Sequence, residues 1–224
     1  TQGLGGEITK YGNVASMKSS GLELRLAGTV IRNDAFSWVS SFIYTKAKNR
    51  VTKMENNSRV TDLITGTGFG LEGYPVRSLF SIPFSRINES GLPVFNYIGG
   101  KETITGVYFQ SRKDLDFLKY EGSTEPTVQG SFGNIFSYKN FKLNVFFTYS
   151  FGNVVRLDPT FRTNYSDLDA TSRELTDSWN VPGDENITNV PVVLDSRFIR
   201  NDSQYRYAYN AYNYSTERIA KGDF

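Results

Sequence analysis

Between residues 141 and 151 the sequence reads Phe-Lys-Leu-Asn-Val-Phe-Phe-Thr-Tyr-Ser-Phe, so Phe141, Leu143, Val145, Phe147, Tyr149 and Phe151 take every second position. A period of two belongs to a strand with one apolar face. The intervening Lys142, Asn144, Thr148 and Ser150 are polar, with Phe146 the exception. The stretch is also as long as a tilted strand must be to cross a bilayer. Its apolar face therefore meets either a protein core or lipid.

The same pattern recurs upstream. Val128, Gly130, Phe132, Asn134, Phe136 and Tyr138 alternate up to Lys139-Asn140. A two-residue turn there sets Tyr138 opposite Phe141, Phe136 opposite Leu143, Phe132 opposite Phe147 and Val128 opposite Phe151. On the other face Gly133 meets Phe146, a glycine leaving room for the one ring among polar neighbours. Earlier, Leu22, Leu24, Leu26, Gly28 and Val30 alternate with Glu23, Arg25, Ala27 and Thr29. After Arg32-Asn33-Asp34 come Phe36, Trp38, Phe42 and Tyr44, with Ser37, Val39, Ser41, Ile43 and Thr45 between and beyond them. Unbroken alternation predicts Val30 opposite Phe36, Gly28 opposite Trp38, Leu26 opposite Ser40 and Leu22 opposite Tyr44. That register needs a three- or five-residue turn with positive φ at Asn33 or Asp34.

Strands are thus expected near 21–31, 36–47, 127–138 and 141–151, with residues 1–20 as loop and long loops over 48–78 and 152–205. Two tight turns on one rim and long loops on the other are the pattern of an outer-membrane barrel. Aromatic residues near both strand ends, Phe36, Trp38, Tyr138 and Phe141 by the turns, and Tyr44, Tyr149 and Phe151 by the loops, suit girdles at the two membrane interfaces. Strand direction requires 48–126 to cross the membrane an even number of times. Either 79–98 supplies a distorted pair of strands or the whole segment is external, and the pair is the preferred expectation.

Composition removes most chemistry. The chain has neither Cys nor His, which excludes disulfides, thiolate and imidazole catalysis and nearly every transition-metal site. Carboxylates remain, but nothing in the sequence holds two of Asp114, Asp116, Glu121 and Glu125 at the separation glycoside hydrolysis needs. The chain is not expected to be an enzyme or to carry a cofactor. Its 25 Lys+Arg against 23 Asp+Glu include no basic block of the kind that would bring nucleic acid as a partner. No apolar run is long enough for a membrane-spanning helix, a test that is silent about barrels. Aromatics make up 15% of the chain, which fits β-structure with ring girdles.

Three clusters invite binding readings. Trp179 with Asp184 and Glu185 combines a ring and carboxylates suited to cargo or partner contact; the plainer reading is a ring that anchors its loop beside a Pro182-Gly183-Asp184 turn. Tyr205, Tyr207, Tyr209, Tyr212 and Tyr214 form either a stacking or partner surface or, by their initial period of two, a strand near the membrane surface. Asp167 and Asp169 could bind Ca²⁺ in a loop, but a solvated loop is the preferred reading.

Several stretches carry a family resemblance. They are Asn13-Val14-Ala15-Ser16-Met17 leading to Gly21-Leu22-Glu23-Leu24; Tyr120-Glu121-Gly122-Ser123-Thr124-Glu125-Pro126 with Gly130, Gly133-Asn134 and Tyr138-Lys139-Asn140-Phe141; Trp179-Asn180-Val181-Pro182-Gly183-Asp184-Glu185; and Tyr214-Ser215-Thr216 with Arg218 and Lys221-Gly222-Asp223-Phe224. In order and spacing the chain resembles the C-terminal half of SusC/RagA-like TonB-dependent transporters of the Bacteroidetes outer membrane. The resemblance implies an all-β fold, part of a 22-stranded transmembrane antiparallel barrel, with outer-membrane lipid against Phe141, Leu143, Val145, Phe147, Tyr149 and Phe151. It implies a SusD-like surface lipoprotein as lid, TonB as energy source, and oligosaccharide or peptide as cargo. The plug domain and TonB box lie outside this sequence, which is expected to be a piece of a longer protein. The competing expectation is a soluble or surface-displayed β-rich glycan-binding module.

Overall fold

The structure, a computed structural model, describes residues 15–55, 58–66, 70–104, 114–162, 170–195, 197 and 201–223. In chain order its strands are β1 (Ala15–Arg32), β2 (Phe36–Met54), β3 (Ser78–Ser81), β4 (Phe84–Ile87), β5 (Pro93–Tyr97), β6 (Lys101–Thr103), β7 (Lys119–Ser123), β8 (Val128–Tyr138), β9 (Phe141–Phe151), β10 (Val154–Arg156) and β11 (Ile219–Lys221). Helices α1 (Val60–Thr65) and α2 (Ser203–Asn213) lie in the connections. Asp167 and Asp169 are outside the described residues.

Four long strands form one antiparallel sheet in the order β1-β2-β8-β9. The β8–β9 register is the one alternation predicts: Tyr138 faces Phe141, Phe136 faces Leu143, Phe132 faces Phe147 and Val128 faces Phe151. Lys139 turns the corner with φ 50, and its N–H donates to the Ala35 carbonyl at 3.1 Å, which ties the two hairpin turns together.

The first hairpin departs from expectation. Leu26 faces Phe42, Leu24 faces Tyr44 and Gly28 faces Ser40, but Ile31 faces Trp38, because Val30 is an extra residue in β1 between Thr29 and Ile31. A bulge of this kind breaks the even-to-even rule and adds local twist. The turn is correspondingly tight. The Asn33 side-chain oxygen accepts from the Ala35 and Phe36 amides at 3.1 and 2.8 Å, and Asn33 N–H donates to the Phe36 carbonyl at 2.9 Å. Neither Asn33 nor Asp34 takes positive φ, since the Asn33 side chain closes the turn in place of a left-handed residue.

Both strands also run further than their apolar pattern. β1 begins at Ala15, inside the stretch read as loop, and β2 continues to Met54, inside the 48–78 loop. The residues added there are mostly polar and break the apolar alternation, so hydropathy does not mark them, yet the pairing continues through Lys18–Arg50 and Ser20–Lys48.

Among the described residues nothing from 55–126 enters the sheet, because β2 pairs directly with β8 from Phe36–Tyr138 to Lys46–Val128. The expected membrane-crossing pair within 79–98 is therefore absent. β3 pairs with β7, and β4, β5 and β6 form a small separate sheet. Their apolar residues serve a core of their own, at the end of the long strands away from the two turns. Val60, Ile64, Ile82, Phe95, Phe117, Phe161, Ala208, Tyr209, Ala211 and Tyr212 form its buried centre.

The tyrosine cluster is a helix, not a strand. Ala208, Tyr209, Ala211 and Tyr212 recur at helical spacing and are all buried. Asp202 caps the first turn by accepting from the Gln204 amide at 2.8 Å. The odd-numbered run Tyr205, Tyr207 and Tyr209 mimics alternation, but a 3.6-residue period buries Tyr209 and Tyr212 together.

Arg156 staples this body to the sheet's end, donating to the carbonyls of Phe80 at 2.7 Å, Ile64 at 3.2 Å and Ser215 at 3.3 Å. Burial lowers its pKa to about 10. Finally β10 pairs with β11, and the Gly152 amide donates to Asp223 at 2.8 Å, so the chain returns to the end of β9 away from its turn.

Candidate membrane face and loop surface

Strand alternation and pairing build rows across the sheet. Leu24, Tyr44, Gly130 and Tyr149 make one, Leu26, Phe42, Phe132 and Phe147 the next, and Ile31, Trp38, Phe136 and Leu143 another beyond the bulge. The rows run from Phe36, Tyr138 and Phe141 beside the turns to Lys46, Val128 and Phe151 at the far end. With about 3.3 Å per residue and a tilt of about 40°, this band spans about 25 Å, the height of an apolar belt on a membrane barrel.

On β9 this face stays largely open among the described residues. Phe141 is 80% exposed, Leu143 59% and Phe147 60%, with Phe151 exposed too and Val145 and Tyr149 half-buried. Continuous apolar surface on this scale marks an interface with protein or lipid. The opposite face carries Glu23, Arg25, Thr45, Gln129, Ser131, Thr148 and Ser150, the polar side of the alternation.

Rings gather at both ends of the band. Trp38 stacks on Phe136 at 5.6 Å and donates its indole N–H to the Asn134 side chain at 2.9 Å, which satisfies a polar group set among apolar ones. At the other end Phe42, Tyr149 and Phe151 stack in series. Tyr149 lies across β8 to donate to the Ile43 carbonyl on β2 at 2.9 Å. Only a glycine at 130 permits this: a Cβ there would stand 2.0 Å from the Ile43 oxygen and 2.4 Å from the Tyr149 hydroxyl.

Trp179, Asp184 and Glu185 are brought together, and their polar atoms serve their own loop. The Trp179 indole N–H donates to Glu185 at 3.0 Å, and the Gly183 amide donates to the same oxygen at 2.8 Å. Asp184 accepts from the Asn180 and Val181 amides at 2.9 and 3.0 Å. The indole bond holds the Glu185 carboxyl below its usual range, and the two backbone amides do the same for Asp184. The Trp179 ring packs on Gly91 (φ 75), whose backbone also accepts from Val192. The result is a rigid loop that presents Val181 and Ile187, 58% and 83% exposed, to solvent.

The carboxylates weighed for catalysis are dispersed into local pairs: Glu125 with Arg77 at 3.0 Å and Glu121 with Lys119 at 3.4 Å, while Asp114 accepts from the Asp116 amide. Arg218, named from the sequence only as part of a motif, is a buried cation that pairs with Glu174 and donates to the Asp158 carbonyl. No local pattern announces it, because its partners lie 44 and 60 residues away.

No protein-family profile matches the sequence. TonB-dependent receptor P3 of Formosa agariphila is 22% identical over 232 residues, an alignment covering 94% of this chain and 23% of the relative. The structure of the RagAB peptide transporter superposes with a TM-score of 0.63 at 20% identity, covering 96% of this chain and 22% of that one. The 'closed-closed' and 'open-open' states of the RagAB peptide importer give 0.62 and 0.63. The chain spans less than a quarter of the length of these relatives.

Proposed function

We propose that this chain, a relative of TonB-dependent receptors with the all-β fold of one segment of RagAB, is barrel wall and extracellular loop in an outer-membrane importer energised through TonB. The observation that carries this reading is the exposed apolar band of β1, β2, β8 and β9, about 25 Å tall, bounded by two tight turns at one end and by a folded loop body at the other. Lipid covers the band through Phe141, Leu143, Val145, Phe147, Tyr149 and Phe151. The polar face lines the lumen. The open edges of β1 and β9 pair with further strands of the complete protein, since an unpaired backbone edge is not tolerated in hydrocarbon.

The segment performs no covalent step. Its part is to hold a passage of fixed width and to carry the loops that admit cargo, peptide or oligosaccharide. A SusD-like lipoprotein sits over those loops, and the Trp179 loop meets it through Val181 and Ile187, with Trp179, Asp184 and Glu185 keeping the loop in shape. A soluble glycan-binding module would not leave Leu22, Leu26, Phe141 and Phe147 facing water.

The test is fractionation of the full-length protein. It is expected in the outer-membrane fraction, extracted only by detergent, and to migrate differently on gels before and after boiling. Recovery in the soluble fraction without detergent would overturn the reading.

A further inference from the structure

We infer that the outward face of β1 and β2, where these strands rise above the apolar band, is a binding site for the phosphorylated headgroup of an outer-leaflet lipid, with Lys46, Lys48, Arg50 and Lys18 as its cations. The inference rests on the membrane reading of the band below it. Strand alternation fixes the face: Leu26, Leu24 and Leu22 are followed on the same side by Ser20 and Lys18, and Phe42 and Tyr44 by Lys46, Lys48 and Arg50. Pairing sets Leu22 opposite Lys46, Ser20 opposite Lys48 and Lys18 opposite Arg50, with Lys53 opposite Ser16 after an irregularity. The side chains that are apolar inside the band therefore become cationic as soon as the strands leave it. Lys46 stands level with Val128 and Phe151, the last apolar row.

These cations are exposed, and none of Lys18, Lys46, Lys48 and Arg50 makes an ion pair among the described residues. Arg59, Arg77, Arg86, Lys119, Arg197 and Arg218 all do. Like charges directly opposite on paired strands, as Lys18 and Arg50 are, destabilise a sheet unless an anion lies between them. Space for one exists. A cleft of about 700 Å³ is lined by Lys18, Ser20, Lys48, Arg50 and Thr52, with Glu72 as its one carboxylate. Its wall is fixed, because the Gly73 amide donates to the Val51 carbonyl and the Val51 amide to the Tyr74 carbonyl, both at 2.9 Å.

The guanidinium of Arg50 suits two phosphate oxygens at once, while the lysines act as point charges. A soluble phosphate would have the same chemistry. The lipid is favoured because the site opens directly onto the apolar band, so one molecule can lay acyl chains on Leu22, Leu24 and Tyr44 and place its phosphate among the cations above them.

The full-length protein, purified in detergent, is to be titrated with bis-phosphorylated lipid A, with dephosphorylated lipid A and with inorganic phosphate, binding being read by native mass spectrometry. The phosphorylated lipid is expected to bind, the dephosphorylated form to bind weakly, and inorganic phosphate not to compete. The triple variant Lys46→Gln, Lys48→Gln, Arg50→Gln should lose affinity about 100-fold, roughly fivefold per interfacial cation, while Lys101→Gln on the loop body leaves it unchanged. Unaltered binding by a triple variant that still inserts and is still heat-modifiable overturns this inference alone. Equal binding of the dephosphorylated lipid, or phosphate binding lost in the same variant, also overturns it. A full-length protein that needs no detergent removes the membrane reading and this site together.

Discussion

At the scale of single residues, two positions show how backbone and side chain constrain each other. Gly130 lets the Tyr149 ring lie flat on β8 and reach the Ile43 carbonyl, with only 2.0 Å between that oxygen and any Cβ at 130. Because the obstacle is backbone, relaxation must move a strand. Gly130→Val is expected to destabilise the barrel by at least the 1–3 kcal/mol typical of overpacking, roughly in line with small-to-large changes elsewhere. Tyr149→Phe, which removes one hydrogen bond, should cost only about 1 kcal/mol. The temperature at which the full-length protein loses its heat-modifiable form measures both, and equal effects would argue against the close approach. The Trp179 loop gives a pH prediction. Glu185 and Asp184 accept hydrogen bonds as anions and sit below their usual 4.5 and 3.8. The loop's added stability is therefore present above those values and is lost as pH falls through the lowered ones. Hydrogen exchange at Asn180, Val181 and Gly183 should stay protected from neutrality down to the ordinary carboxylate values and rise only as the pH falls below them, beyond its intrinsic pH dependence. Loosening on raising the pH instead would contradict the assignment.

At the scale of elements, β9 separates the two faces by one residue. Phe147 lies in the Leu26–Phe42–Phe132 row and is 60% exposed, while its neighbour Thr148 points to the polar side beside Ser131. Phe147→Arg is expected to cost about 2–4 kcal/mol, the penalty for a cation near the midplane of a barrel's lipid face, whereas Thr148→Arg should be tolerated. Urea unfolding of the full-length protein in vesicles reads the difference, and similar costs at both positions would reverse or erase the assignment of faces. How far each element can be read from the chain depends on whether its neighbours share its period. The β8–β9 hairpin was legible to the residue because Tyr138, Phe136, Phe132 and Val128 each face an apolar partner across a two-residue turn. The β1–β2 register was not, because the bulge at Val30 leaves no trace in hydropathy and shifts every pair before it.

At the scale of the molecule, the sheet and the loop body are stabilised by different means. The sheet carries backbone ladders and an uncovered apolar face, whereas the loop body has its own core around Phe95, Phe161, Tyr209 and Tyr212. Burial raises the pKa of the Tyr209 and Tyr212 phenols, which keeps both uncharged at all ordinary pH. Tyr212 touches Phe84 and Phe161 edge-on at 5.8 and 5.7 Å, joining α2, β4 and the chain after β10. Tyr212→Ala should cost about 3–5 kcal/mol, as for other fully buried large rings, and open this body alone. Limited proteolysis of whole cells is expected to cut within 157–218 while the heat-modifiable barrel persists. Loss of the barrel at the same time would show that the two parts fold as one unit.

What the sequence determined by itself was the material of the sheet: four strands, their two faces, one complete register and the side on which the turns lie. All of these follow from side-chain periods of two and from local turn chemistry. Only the tertiary structure decided the rest. It extended β1 and β2 through mostly polar residues whose pairing is set by backbone hydrogen bonds. It made a helix of tyrosines that imitate a strand, because the core that buries Tyr209 and Tyr212 comes from segments more than a hundred residues earlier as well as from nearby Phe161. It also turned Trp179, Asp184 and Glu185 inward on their own loop, since a ring and two carboxylates close in sequence meet their own backbone amides before they meet a partner.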